Sequence, residues 1–204
     1  MEKKFLLDHL LITVSKDEFD YWKEKSNEFN FIYVTKKDLE QNSQEACYIR
    51  ANSLFYLEIM PENNYPGKIG LSLSDLSSKN NFLENLKLLY STWEFEEKKV
   101  YYLDEHWYSA YFSKEMESEI TFTWFTEYKG QFLEERKNDL NNKNNIFFSI
   151  NLSESEYKDF IKIISDFQFI IEELENKTII KDILGNYFTI LRELNQNKRV
   201  NLLM

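Results

Sequence analysis

The sequence predicts an α+β fold assembled from three βαβββ units, and three observations carry that prediction. An alternating strand, a helical stripe and three further extended runs follow one another three times along 204 residues. The leading strands, LLDHLLITVS, KIGLSLS and NIFFSINLS, end alike in VS, LS and LS. The chain is also 43% hydrophobic and 17% aromatic, which is enough apolar surface for a packed interior.

The first unit is assigned to residues 1–66. Leu10, Ile12 and Val14 point to one side of the opening strand, and His9, Leu11 and Thr13 to the other. Ser15 and Asp17 offer N-cap oxygens to a helix that carries Phe19, Trp22, Ser26 and Phe29 at helical spacing. FIYVT, ACYIRA and LFYLEIM supply three strands. The second unit spans 67–136. Here Ile69, Leu71 and Leu73 alternate with Lys68, Gly70 and Ser72, and a helix follows with Phe82, Leu83, Leu86, Leu89 and Tyr90. WEFEEKKVYYL, HWYSAYFS and EITFTWFTEY are its strands, rich in β-branched and aromatic residues.

The polar stretch KNDLNNKNN links it to a third, degenerate unit at 145–204 with a C-terminal tail. In that unit Phe148, Ile150 and Leu152 alternate with Phe147, Ser149 and Asn151. A serine-capped helix carries Tyr157, Phe160, Ile161, Ile164 and Phe167, and QFIIEEL, KTIIKD and YFTILREL follow. Each unit has an apolar sheet face for its helix and a more polar face that must find a partner. Pairing two such sheets makes a cup, where small molecules bind.

Composition excludes several classes. With 25 basic against 35 acidic residues and a net charge of −10, the chain lacks the cationic footprint of a general nucleic-acid or anionic-membrane binder. Cys47 is the only cysteine, so neither an intrachain disulfide nor a thiolate zinc cluster can form. Its strand context predicts a small buried residue. Asp8 and His9 interrupt the apolar run of the N-terminus, and no run of about 18 apolar residues occurs. A soluble cytoplasmic protein is the expectation.

DHLLITVS, LFYLEIM, KIGLSLS and TFTWFTEYKGQFL, with ILGNYFTIL near the end, resemble in order and spacing the vicinal oxygen chelate superfamily. That superfamily includes glyoxalase I, bleomycin-resistance proteins and extradiol dioxygenases. Within it the chain resembles an uncharacterised glyoxalase-like family, over most of residues 5–194. The resemblance implies that units one and two face each other in a glyoxalase-like cup or half-barrel. It also implies that each unit can offer a metal ligand from its first strand and one from its last.

By strand phase these positions are His9 and Glu58 in unit one, Lys68 and Glu127 in unit two, and Phe147 and Thr189 in unit three. The third unit has therefore lost the site and serves packing or capping. His9, Glu58 and Glu127 would suit one divalent ion, Zn²⁺, Mn²⁺, Fe²⁺ or Ni²⁺, with Glu127 as the catalytic base. Lys68 departs from the pattern, because an ammonium in the fourth corner repels a metal. Two readings stand: a metal site with Lys68 turned outward or holding a substrate, and a metal-free cup in which Lys68 pairs with Glu58 or Glu127.

Arg50, Trp107, Trp124 and Phe125 join Lys68 as candidates to line the cup around an anionic or aromatic ligand. His106 reads as a surface residue. Three functions follow from the two readings: a protein that binds or sequesters a small molecule, a metal-dependent lyase, isomerase or dioxygenase, and an interaction protein without a site. Relatives often complete their barrels with a second chain, so the resemblance also implies a homodimer, unless unit three fills that role.

Overall fold

Every residue of β1 (Leu6–Val14) is buried, because this strand lies at the centre of a sheet with side chains packed on both faces. It ends at Ser15, whose side-chain oxygen accepts the amide of Glu18 and starts α1 (Lys16–Lys25). The helix is shorter than the apolar spacing suggested. Ser26 caps its C-terminus, and Phe29 packs on the core from the turn that follows. β2 (Ile32–Leu39), β3 (Asn42–Arg50) and β4 (Tyr56–Pro61) complete the unit. β4 returns parallel to β1, the crossover that parallel pairing needs being supplied by α1, β2 and β3.

The second unit repeats the order with β5 (Ile69–Ser74), α2 (Phe82–Leu89), β6 (Glu96–Tyr102), β7 (Glu105–Glu117) and β8 (Thr121–Tyr128). It then adds a helix outside the repeat, α3 (Gly130–Asp139). The third contains β9 (Phe147–Asn151), α4 (Glu154–Ile164), β10 (Ile170–Glu173), β11 (Lys177–Lys181) and β12 (Tyr187–Leu191), followed by β13 (Val200–Leu203). Ser153 and Glu156 form a capping box at the start of α4. The structure, a computed structural model, describes residues 5–39, 42–50, 56–61, 68–75, 81–102, 104–139, 147–192 and 199–203.

Units one and two share an eight-stranded sheet ordered β2-β3-β4-β1-β5-β8-β7-β6. β2 and β6 stand at opposite ends of that order yet lie against each other. The sheet therefore curls into a nearly closed barrel. Its outer face carries the helices and the main core, which includes Leu10, Ile12, Val14, Trp22, Leu71, Phe82 and Phe125. Its inner face holds a second cluster of Leu11, Ala46, Tyr48, Tyr56, Met60, Val100, Tyr108, Ala110, Trp124 and Tyr128.

Unit three forms its own sheet, ordered β10-β11-β12-β9-β13, and packs its helix side onto the outer core. Phe167 sits 6.2 Å from Phe5 and 5.9 Å from Phe125 between ring centroids. Asp182 accepts the amide of Leu7 at 3.1 Å, and Thr121 donates to Asp159 of α4 at 2.7 Å. Among the described residues no helix is long and apolar enough to cross a membrane.

Candidate functional site

A single irregularity in β1 builds the site. Leu7 lies opposite Leu73 and His9 opposite Ser72, so Asp8 is an extra residue in the ladder, a β-bulge. Strict alternation would send Asp8 to the outer face with Leu10. The bulge leaves Leu7 in the outer core and turns both Asp8 and His9 into the barrel, where each is fully buried.

Asp8 accepts four contacts there. His9 Nδ1 lies 2.6 Å from its Oδ2, and the Tyr128 hydroxyl donates to the same oxygen at 2.8 Å. Arg136 of α3 approaches Oδ1 through Nε and Nη2, both at 3.4 Å, and its Nη2 donates to the Asp8 carbonyl at 3.2 Å. Burial pushes the Asp8 carboxyl up. The Arg136 charge and the His9 and Tyr128 hydrogen bonds together outweigh it, leaving the group below its ordinary value. The same burial holds the Tyr56 and Tyr128 phenols well above theirs.

With Nδ1 turned to a carboxylate, His9 presents Nε2 to Glu58, whose Oε2 is 3.8 Å away. Glu58 is fully buried and accepts the Tyr48 hydroxyl at 3.2 Å through Oε1. Tyr56 stacks on the imidazole at 4.6 Å with an interplanar angle of 6°, and Trp124 meets its edge at 5.1 Å. Among the described residues, His9 Nε2 and Tyr56 Oη have no hydrogen-bond partner although both are buried. Leaving such atoms unpaired costs free energy, which an occupant between them would remove.

The structure brings together only part of the predicted set. His9, Glu58 and Trp124 meet inside the barrel. Glu127 does not join them. Trp124 and Tyr128 face inward, so Glu127, between them in phase, faces out. There it accepts the Tyr111 hydroxyl at 2.7 Å and pairs with Lys129 at 2.6 Å. The last-strand position expected of Glu127 is thus one residue out of phase with the inner face. Phe125 is likewise on the outer face, in the core beside Phe5 and Tyr90, since neighbours in a strand cannot share a face.

Lys68 pairs with neither Glu58 nor Glu127. It lies four residues before Ser72, the residue opposite His9, or roughly 13 Å along the strand, and bridges to Glu117 at 3.1 Å. Arg50 is exposed, its guanidinium 5.7 Å from the Tyr33 ring. Trp107 packs at the barrel mouth, 6.5 Å from Phe132 of α3. His106 is partly exposed, near the Ser109 hydroxyl at 3.2 Å. Burial and the nearby Lys129 charge lower its pKa. Cys47 is buried, and burial pushes its thiol up to about 12, so it is inert as a nucleophile.

Sequence reasoning missed Asp8 and Arg136. No local signal marks a bulge. α3 did leave one: Phe132, Leu133 and Arg136 share a helical face in GQFLEERKND. The first two pack on the inner cluster while Arg136 reaches Asp8, its guanidinium 5.2 Å from the Tyr56 ring and 5.8 Å from the Tyr128 ring.

Paired βαβββ units, curled with helices outside and a polar cluster within, give the α+β, glyoxalase-like architecture that the sequence resemblance implied. No protein-family model matches the sequence, and no curated protein does. Among solved structures the chain is similar to a hypothetical protein from Staphylococcus aureus, at 11% identity and a TM-score of 0.56, over 94% of this chain and 87% of that one. It is more distantly similar to an extradiol ring-cleaving dioxygenase from B. fuscum (9% identity, TM-score 0.45, 94% of this chain, 55% of that one). Methylmalonyl-CoA epimerase from Mycobacterium tuberculosis is also similar (8%, 0.40, covering 66% and 96%).

The described residues do not fit the divalent metal that the sequence resemblance implies. Among the described residues no three His, Cys, Asp or Glu side chains are grouped to hold an ion. His9 Nε2 and Glu58 Oε2 are two donors where a catalytic site uses at least three. Asp8 is committed to His9, Tyr128 and Arg136, and Glu127 is outside.

Proposed function

We propose that this is a small-molecule-binding protein whose ligand sits inside the curled sheet against His9. The observation that carries the reading is the pair of buried, unpartnered polar atoms, His9 Nε2 and Tyr56 Oη, in one aromatic-walled cluster. Leaving a buried polar group without a hydrogen bond costs about 1–3 kcal/mol, and a bound molecule removes that cost. Tyr56, Trp124, Tyr108 and Tyr128 give a flat ligand surfaces to pack on. α3 packs on the cluster through Phe132 and Leu133.

The basic residues that motivated an anionic ligand, Lys68 and Arg50, lie away from the cluster, and Arg136 already meets Asp8. Among the described residues a metal-dependent lyase, isomerase or dioxygenase lacks its third donor. The test is a thermal-shift screen of the purified chain against small aromatic, amine and acid metabolites, with metal analysis alongside. A ligand that binds only the folded state raises Tm with its concentration. The reading requires at least one compound to do so in wild type and not in His9→Ala. Silence across a broad panel, or stoichiometric bound metal that depends on His9 and Glu58, overturns it.

A further inference from the structure

Three of the four described helices pack on the outer core, and each drives side chains fully into it: Phe19 and Trp22 from α1, Phe82 and Leu86 from α2, Phe160 and Ile164 from α4. α3 is built differently. It packs on the inner cluster instead, and its only large apolar residues are Phe132 and Leu133. None of its residues from 130 to 137 is fully buried. Apolar burial is what holds a helix to its sheet, and by that measure α3 is the most weakly attached of the four. Segments that bury little apolar surface are the ones that open while the rest of the fold stays intact.

The joint that such an opening needs is present. Lys129 stays with the barrel: its amide donates to the Trp107 carbonyl at 3.0 Å and its ammonium pairs with Glu127 at 2.6 Å. The next residue, Gly130, takes a φ of +53°, a value that glycine adopts and leaves at little cost. A Cβ built there would meet nothing within 4 Å, so the position calls for conformational freedom and not for space. Beyond the joint α3 lies over the site. Phe132 and Leu133 rest on the inner cluster, and Arg136 reaches Asp8 with its guanidinium against Tyr56 and Tyr128. We propose that α3 is a lid that swings about Gly130 and opens the aromatic interior around His9 while both sheets stay folded. Ligand entry is what it offers to the reading above, but the motion belongs to the chain and is tested without a ligand.

The experiment labels the full chain with a small thiol reagent, methyl methanethiosulfonate, and follows each peptide by mass spectrometry. Ala110→Cys puts a reporter thiol in the inner cluster. Cys47, buried in the outer core, reports opening of the whole fold in the same molecule. A buried thiol reacts only from an open form, so its rate follows that form's population. A lid makes the reporter react at least tenfold faster than Cys47. Gly130→Ala, which strains only the closed position, raises the reporter's rate at least fivefold and leaves Cys47 within twofold. The pair Phe132→Ala and Leu133→Ala does the same. Gly130→Asn, whose side chain tolerates positive φ, has a smaller effect than Gly130→Ala. Circular dichroism shows whether each variant is folded, and Ala46→Cys, also in the inner cluster, serves as the reporter if Ala110→Cys is not. A reporter no faster than Cys47, a rate indifferent to every α3 variant, or variants that speed Cys47 equally overturn the lid. The metabolite screen still decides the ligand-binding reading in each of those cases.

Discussion

Units one and three are built on one frame and filled with opposite chemistry. Their sheets have matching orders, β2-β3-β4-β1-β5 and β10-β11-β12-β9-β13. Leu11 lies opposite Glu58 as Ser149 lies opposite Thr189. His9 stacks on Tyr56 at 4.6 Å, and Phe147 on Tyr187 at 5.3 Å. Both first-strand residues stand six positions before the serine that caps the following helix (15 − 9 and 153 − 147). Unit one thus carries His9 and Glu58 where unit three carries Phe147 and Thr189. The frame needs no charge to form, so the buried ionisable cluster of unit one is not there for folding. Buried ion pairs are weak stabilisers at best, which supports the ligand-binding role proposed above.

The largest expected effect comes from breaking the cluster at its hub. Asp8→Ala removes the acceptor shared by His9, Tyr128 and Arg136 and should destabilise the chain by about 3–5 kcal/mol in denaturant unfolding. Asp8 also gives that cluster a pH signature. Its folded pKa is depressed below the ordinary 3.8, so its contribution is complete above that pH and is lost as pH falls through the lower folded value. Asp8→Asn should remove that part of the acid-unfolding slope.

Next comes the transplant. His9→Phe alone leaves Glu58 buried without the imidazole and should cost about 3 kcal/mol. Adding Glu58→Thr, which completes the unit-three set, should recover at least about half of that loss, and a double-mutant cycle measures the recovery. Fully additive losses would show that the frame depends on its charges after all.

A third contrast lies beside the first strands. Gly70 is opposite Leu11 and Asn201 opposite Ser149. A Cβ on Gly70 would come within 2.6 Å of the rings of both Phe122 and Trp124, which unit two folds over it. Among the described residues β13 is the edge of its sheet, and unit three accommodates asparagine there. Gly70→Ala should therefore cost about 1–3 kcal/mol and shift tryptophan fluorescence, whereas Asn201→Gly should change stability by less than about 1 kcal/mol. Smallest of all, Lys68→Met breaks only a partly exposed pair with Glu117 and should alter stability by less than about 1 kcal/mol, with ligand binding unchanged.

The repeat was legible because each strand and helix advertises itself over a few residues. Leu10, Ile12 and Val14 share the outer core as alternation required, and the capping serines start their helices. The site was legible only where phase was simple. His9 and Glu58 lie on the inner face, as their strand phase required. Glu127 and Phe125 were misplaced by one residue, and in a strand one residue reverses the face. Lys68 failed for a different reason: its phase is inward, but distance along the strand takes it out of reach.

Local periodicity, composition and cap chemistry, all written within short windows, determined by themselves that this chain makes three βαβββ units and buries its one cysteine. Tertiary structure decided which charges meet. A bulge that turns Asp8 inward, a helix beyond the repeat that delivers Arg136, and the curl that closes aromatic rings over His9 depend on contacts between residues as much as 128 positions apart. Such contacts form only when the whole sheet closes, and no window of the sequence contains them.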